Sequence, residues 1–100
     1  MRVTIQQSGF ERITMKIEGR VAGVQVPELQ QAWRDLAPSL GQRGLLVDLR
    51  GVTHMDEAGR KVLADIYEMT RAKFLADTPL TKYFAEDAQN GIRTRSESID

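Results

Sequence analysis

The residues with the most chemistry in this 100-residue chain stand close together: Asp48, His54, Asp56, Glu57, Arg60 and Lys61. Two carboxylates flanking a loop, Asp48 and Asp56, are the kind of pair that a divalent cation or a phosphoryl-accepting aspartate would use. A receiver-type phosphoacceptor, however, needs further acidic ligands and a lysine, in a longer fold than this chain can build. The residues therefore favour a structural part for Asp48. His54 stands two positions before Asp56; a histidine there could sense pH, yet with no identifiable partner it reads as an ordinary loop residue. The chain has no cysteine, so thiolate nucleophiles, thiolate metal sites and disulfides are all excluded. A single histidine argues against a histidine-built metal centre or a Ser-His-Asp triad. No glycine-rich phosphate loop of the Walker or Rossmann type is present. No catalytic residue, metal or cofactor is expected, and the chain reads as a non-enzyme.

The elements that must position these groups are legible around them. Leu45-Leu46-Val47 is a short branched apolar run, continued by Asp48 and Leu49, as in a strand covered on one or both faces. Arg50 to Met55 reads as a loop that delivers Asp56 to the start of a helix. An aspartate is a good N-cap, because its carboxylate accepts from the orphan amides of the first turn. Glu57 adds a negative charge where the helix dipole favours one, worth ~0.3–1 kcal/mol whatever else it does. Val62, Leu63, Ile66 and Met69 recur at helical spacing and predict a buried stripe. Gly59 suggests a close approach of helix and sheet that a side chain would obstruct. The functional surface is expected at this acidic elbow, Asp56-Glu57-Ala58-Gly59-Arg60-Lys61, and along the helix after it.

On the N-terminal side, Val3 and Ile5 predict a first strand ending near Ser8-Gly9. The alternation of Ile13, Met15 and Ile17 predicts a second over Phe10 to Glu18, the two forming a hairpin. A strand at a sheet edge offers unpaired amides to a second copy, so a homodimer is among the assemblies the sequence allows. Pro27 suits the first turn of a helix, and Leu29, Ala32, Trp33 and Leu36 give it one apolar face to about Ala37. Pro38, Gly41 and Gly44 predict its end. Trp33 and Met69 read as core residues. After the elbow helix, Lys73 to Ala76 predicts a short strand. Thr78 and Pro79 start a last helix with Leu80, Tyr83, Phe84 and Ala88 inside, stopped at Asn90-Gly91. A domain over 1–92 with a polar tail over 93–100, expected to be disordered, completes the reading. Strands alternating with helices argue for an α/β layer.

Hydrophobic residues at 41% and charged residues at 28% are ordinary for a water-soluble domain. Fourteen basic residues balance fourteen acidic ones, and no basic stripe is visible, so nucleic acid is not an expected partner. No run approaches the ~20 apolar residues that span a bilayer, and the N-terminus lacks a signal-peptide segment. No membrane insertion and a cytoplasmic location are the expectations.

The order β-β-α-β-α-β-α and three local signatures resemble the STAS family. It is the domain of bacterial anti-sigma-factor antagonists and of the cytoplasmic ends of sulfate transporters. The signatures are Ile17-Glu18-Gly19-Arg20-Val21 leading to Pro27; Val47-Asp48-Leu49-Arg50-Gly51-Val52-Thr53-His54-Met55-Asp56 with Gly59 after it; and Phe74-Leu75-Ala76 followed by Pro79-Leu80. The resemblance covers roughly residues 3 to 90. It implies a mixed sheet of four to five strands with helices mainly on one face. In the family's switchable antagonists a Ser or Thr directly follows the elbow Asp, and a partner kinase, itself the anti-sigma factor, phosphorylates it. Here that position is Glu57 and the next is Ala58, so the usual switch is missing from its usual place. Family members also place an apolar residue after the elbow glycine, where this chain has Arg60 and Lys61.

The resemblance implies a protein-interaction module that binds its partner through residues 56–61. The partner would be an anti-sigma factor or kinase, with an acidic surface opposite Arg60 and Lys61. A permanent charge at Glu57 would hold the module in a state like the phosphorylated one, or suit a partner that accepts a carboxylate. Two alternatives stay open. One is a small STAS subunit of a lipid-transport ABC system, which shares an Asp-x-Ala-Gly elbow. The other is a small-ligand-sensing STAS domain holding an anion at the helix N-terminus, against which the charge of Glu57 argues.

Overall fold

Two strands, β1 (Arg2–Ser8) and β2 (Arg12–Val21), form an antiparallel hairpin in the computed structural model. The backbone is described for residues 1–9 and 11–99, and side chains for these except Ser8 and 91–99. After a single 3₁₀ turn at Gly23–Gln25 come α1 (Val26–Leu40), β3 (Gly44–Met55), α2 (Glu57–Thr70), β4 (Lys73–Leu75) and α3 (Pro79–Ile99). The sheet order is β1-β2-β3-β4, with β3 parallel to both β2 and β4. Each parallel step is bridged by a helix. Crossovers of one hand, taken in one direction across a sheet, put their helices on one face. The core lies there. Ile13, Met15 and Ile17 of β2 and Leu45, Val47 and Leu49 of β3 meet Leu29 and Trp33 of α1, Val62, Leu63 and Ile66 of α2, and Phe84 and Ala88 of α3. The alternate residues of β2, Thr14, Lys16 and Glu18, are partly exposed on the opposite face.

Several elements run further than their sequence suggests. Residues 50–55, expected as a loop, continue β3. Lys16 pairs with Asp48 but Glu18 with Gly51, and Gly19 pairs with Val52 but Arg20 with His54, so β3 carries an extra residue at two places. Such bulges break the period-two alternation by which a strand is recognised, while the ladder persists. The second strand likewise reaches Val21; its expected first residue, Phe10, lies outside the described residues.

Helix α1 passes through Pro38, where it was expected to have ended, and stops at Leu40. The ring forfeits one hydrogen bond, to the Arg34 carbonyl, close to the helix end, and Arg43 caps the last carbonyls. Its amide donates to the Leu40 carbonyl at 2.8 Å, and its guanidinium donates to the Leu40 and Ser39 carbonyls.

Helix α3 starts as expected. The Thr78 hydroxyl accepts from the Thr81 amide at 3.1 Å, and the buried Thr81 hydroxyl accepts from the Thr78 amide at 3.0 Å, a reciprocal cap. The helix does not end at Asn90-Gly91. A glycine lowers helix propensity by ~1 kcal/mol but is no stop by itself. The tail expected over 93–100 falls on residues whose side chains are not described. Leu80 and Tyr83, expected inside, are about half exposed, and Thr81 takes the buried place through its cap. Met69 is also a correction: it is 72% exposed, standing two turns beyond the buried Val62 on the same stripe.

Candidate functional site

The elbow is built at the end of β3, where the Asp56 amide donates to the Val21 carbonyl of β2 at 3.1 Å. From this anchor its carboxylate bridges two other segments. One oxygen accepts from the Gly59 amide at 2.8 Å and caps α2; the other accepts from the Gly23 amide at 3.0 Å and ties down the turn after β2. Gly23 takes φ of 59°, a left-handed conformation that a side chain would strain. The Gly23 and Gly59 amides, helped by the nearby charges of His54 and Arg20, hold the Asp56 carboxyl below its ordinary range. Asp56 therefore acts as a structural staple.

Gly59 is where α2 touches the sheet. A Cβ there would lie 2.8 Å from Met55 Cγ, 2.9 Å from the Val21 carbonyl oxygen and 3.1 Å from Val21 Cγ1. The close approach suggested by the sequence is the observed geometry.

The staple leaves a small outward-facing surface. Glu57, Ala58 and Lys61 are exposed, and beside them the turn after β2 presents Val24, 88% exposed. Sequence reasoning missed Val24. The only signal for it, an apolar residue directly after Gly23 and before a helix, is shared by many buried turn residues. Arg60 is placed differently from Lys61. Its Nη1 donates to the Tyr83 hydroxyl at 3.2 Å, its guanidinium lies over the Tyr83 ring, and its Nε stands 3.7 Å from an Asp87 carboxylate oxygen. Arg60 thus joins α2 to α3, engaged within the chain.

Asp48 and Asp56 have separate partners and do not form a shared acidic site. Asp48 is buried under Arg50, which donates to it from Nε at 3.1 Å, from Nη2 at 3.0 Å and from its amide at 3.0 Å. The guanidinium bonds are the largest cause of its lowered pKa; burial opposes them, and Lys16 adds a favourable charge. His54 is an exposed residue of β3, paired in register with Arg20. Among the described residues no group of three or more His, Asp or Glu side chains converges on one point. No described helix is long and apolar enough to cross a membrane.

No protein-family model and no curated protein matches the sequence. Solved structures do match the fold. The anti-sigma factor antagonist SpoIIAA, in its unphosphorylated form, superposes with a TM-score of 0.65 over 86% of this chain and 83% of its own, at 8% identity. Mglu matches with a TM-score of 0.59 over 76% of this chain at 19% identity, and its native form with 0.55 over 75% at 17%. The chain spans about a fifth of the length of Mglu, 19% and 22% in the two structures. At these identities the superpositions show a shared fold alone, and it is the STAS type that the three sequence signatures resemble.

Proposed function

We propose that the protein is a non-enzymatic interaction module that binds a protein partner through the elbow at 56–61 and the helix after it, in the manner of an anti-sigma-factor antagonist. One observation carries the reading. The polar chemistry of the elbow, Asp56 with Gly23 and Gly59, is spent inside the fold, while Glu57, Ala58, Lys61 and Val24 are held outward on a rigid base. A preorganised surface of exposed charges beside an apolar side chain suits recognition of a protein. The likeness to SpoIIAA supports the same class of function. In this proposal the partner accepts the Glu57 carboxylate at the position where switchable antagonists carry the phosphorylated hydroxyl, so binding is constitutive.

Arg60 is engaged with Tyr83 and Asp87, so the charge offered most freely to an acidic partner surface is that of Lys61. The test is affinity capture from a lysate of the source cells, with the parent chain beside a Glu57→Lys, Lys61→Glu double variant. Both positions are exposed and, among the described residues, make no hydrogen bond or ion pair, so the fold does not depend on their side chains. A kinase-like anti-sigma factor captured by the parent and lost with the variant supports the antagonist reading. Capture of an ABC ATPase moves the protein to lipid transport. Equal capture by both baits refutes the elbow as the interface.

A further inference from the structure

At the end of the molecule away from the elbow, the last turns of α1 and α2 border a cavity of about 530 Å³. That is within the usual size of a small-molecule site. Trp33, Ala37, Leu40 and the exposed Met69 supply apolar surface, and Arg34 and Arg43 supply charge; no carboxylate lines this cavity. Trp33 itself is 92% covered. Arg34 is exposed, and among the described residues its side chain makes no ion pair or hydrogen bond. Arg43 commits two donors to the end of α1 and keeps the rest of its five. Trp33, Arg34 and Met69 also border a smaller depression of about 360 Å³ together with Asp65 and Glu68, and Leu40 and Arg43 border another together with Glu11.

We infer that this groove binds a small amphipathic monocarboxylate. Its apolar body lies against Trp33, Leu40 and Met69, and its carboxylate is held by Arg34 and Arg43. Two arginines and no carboxylate line the groove itself, which sets the sign of the ligand, and the apolar floor sets its character. The site is separate from the elbow and does not depend on the protein partner proposed there.

Trp33 is the only tryptophan of the chain, so its fluorescence reports on the groove directly. The probe is decanoate, titrated below its aggregation concentration, with decanol as the neutral counterpart. Chemical-shift mapping of the backbone amides runs in parallel. The expected result is a saturable change in Trp33 emission, with shifts confined to residues 33–43 and 69–70. Decanol should bind about tenfold more weakly, the scale of one charge-assisted hydrogen bond. Arg34→Glu and Met69→Glu, both surface changes, should each weaken decanoate by a similar factor. No saturable change, shifts mapping elsewhere, equal binding of decanol, or indifference to both variants would each overturn the site. The Glu57→Lys, Lys61→Glu variant keeps decanoate binding, which separates this test from that of the elbow.

Discussion

Adding one methyl group at Gly59 tests the elbow geometry through a contest of sign. In a helix interior Gly→Ala gains ~1 kcal/mol from propensity, and less in the first turn, where Gly59 sits. Against this, the new Cβ would lie 2.8 Å from Met55 Cγ, about 0.7 Å inside the shortest comfortable carbon–carbon contact of ~3.5 Å. It would also lie 2.9 Å from the Val21 carbonyl oxygen, which is backbone and cannot turn aside. That same oxygen accepts from the Asp56 amide, so moving it lengthens the bond that anchors the elbow. Overpacking of this kind costs ~1–3 kcal/mol, so steric conflict exceeds propensity and a net loss of about 1–2 kcal/mol is expected. At ~4–8 °C of Tm per kcal/mol for a chain of this size, Gly59→Ala should melt about 5–15 °C below the parent. Urea denaturation followed by circular dichroism gives the free energy, with Ala58→Gly at the neighbouring exposed position as a control for propensity alone. A Gly59→Ala variant as stable as the parent, or more stable, would refute the close approach of α2 to β2.

Thr81→Val keeps the shape of a buried side chain but removes the hydroxyl that accepts from the Thr78 and Asp77 amides, and should cost about 1–2 kcal/mol by urea denaturation. Asp48 makes stability depend on pH. Its folded pKa is lowered, so its contribution is complete above the unfolded value of about 3.9 and is lost as pH falls through the lower folded value. Asp48→Asn should therefore be less stable at neutral pH and show a flatter acid limb below about pH 4, measured by thermal melting across pH. Arg60→Ala should lower stability by about 0.5–1 kcal/mol, since its Tyr83 and Asp87 contacts are only partly buried, while Lys61→Ala should stay within about 0.5 kcal/mol of the parent. Equal effects of the two would contradict the placement of Arg60 against α3.

Much of this architecture is written in local signals. Asp56 before an amphipathic stretch, Thr78-Pro79 before another, and the alternation of Ile13, Met15 and Ile17 each state a local preference that the fold keeps. What escaped the sequence depends on partners distant along the chain. The length of β3 follows from bulged pairing with the end of β2, which no short window reveals. Pro38 removes only a single bond near the end of α1, whose last carbonyls Arg43 returns to satisfy. Met69 has the right spacing for burial, but α1 and α2 part before reaching it and leave a groove. At the elbow, the six residues 56–61 looked alike as interface candidates. Only the packed structure separates Asp56 and Gly59, which build the surface, and Arg60, which faces α3, from Glu57, Ala58 and Lys61, which face outward.

The central claim is that the outward face of the elbow meets a protein, and site-specific photo-crosslinking in the source cells tests it most directly. A benzophenone amino acid is placed in turn at Val24, Glu57 and Lys61, with Gln42, exposed at the far end, as the reference. The account predicts that one protein cross-links from all three elbow positions and not from Gln42. Cross-linking of that protein from Gln42 as readily as from the elbow, or no protein at any elbow position, would contradict it.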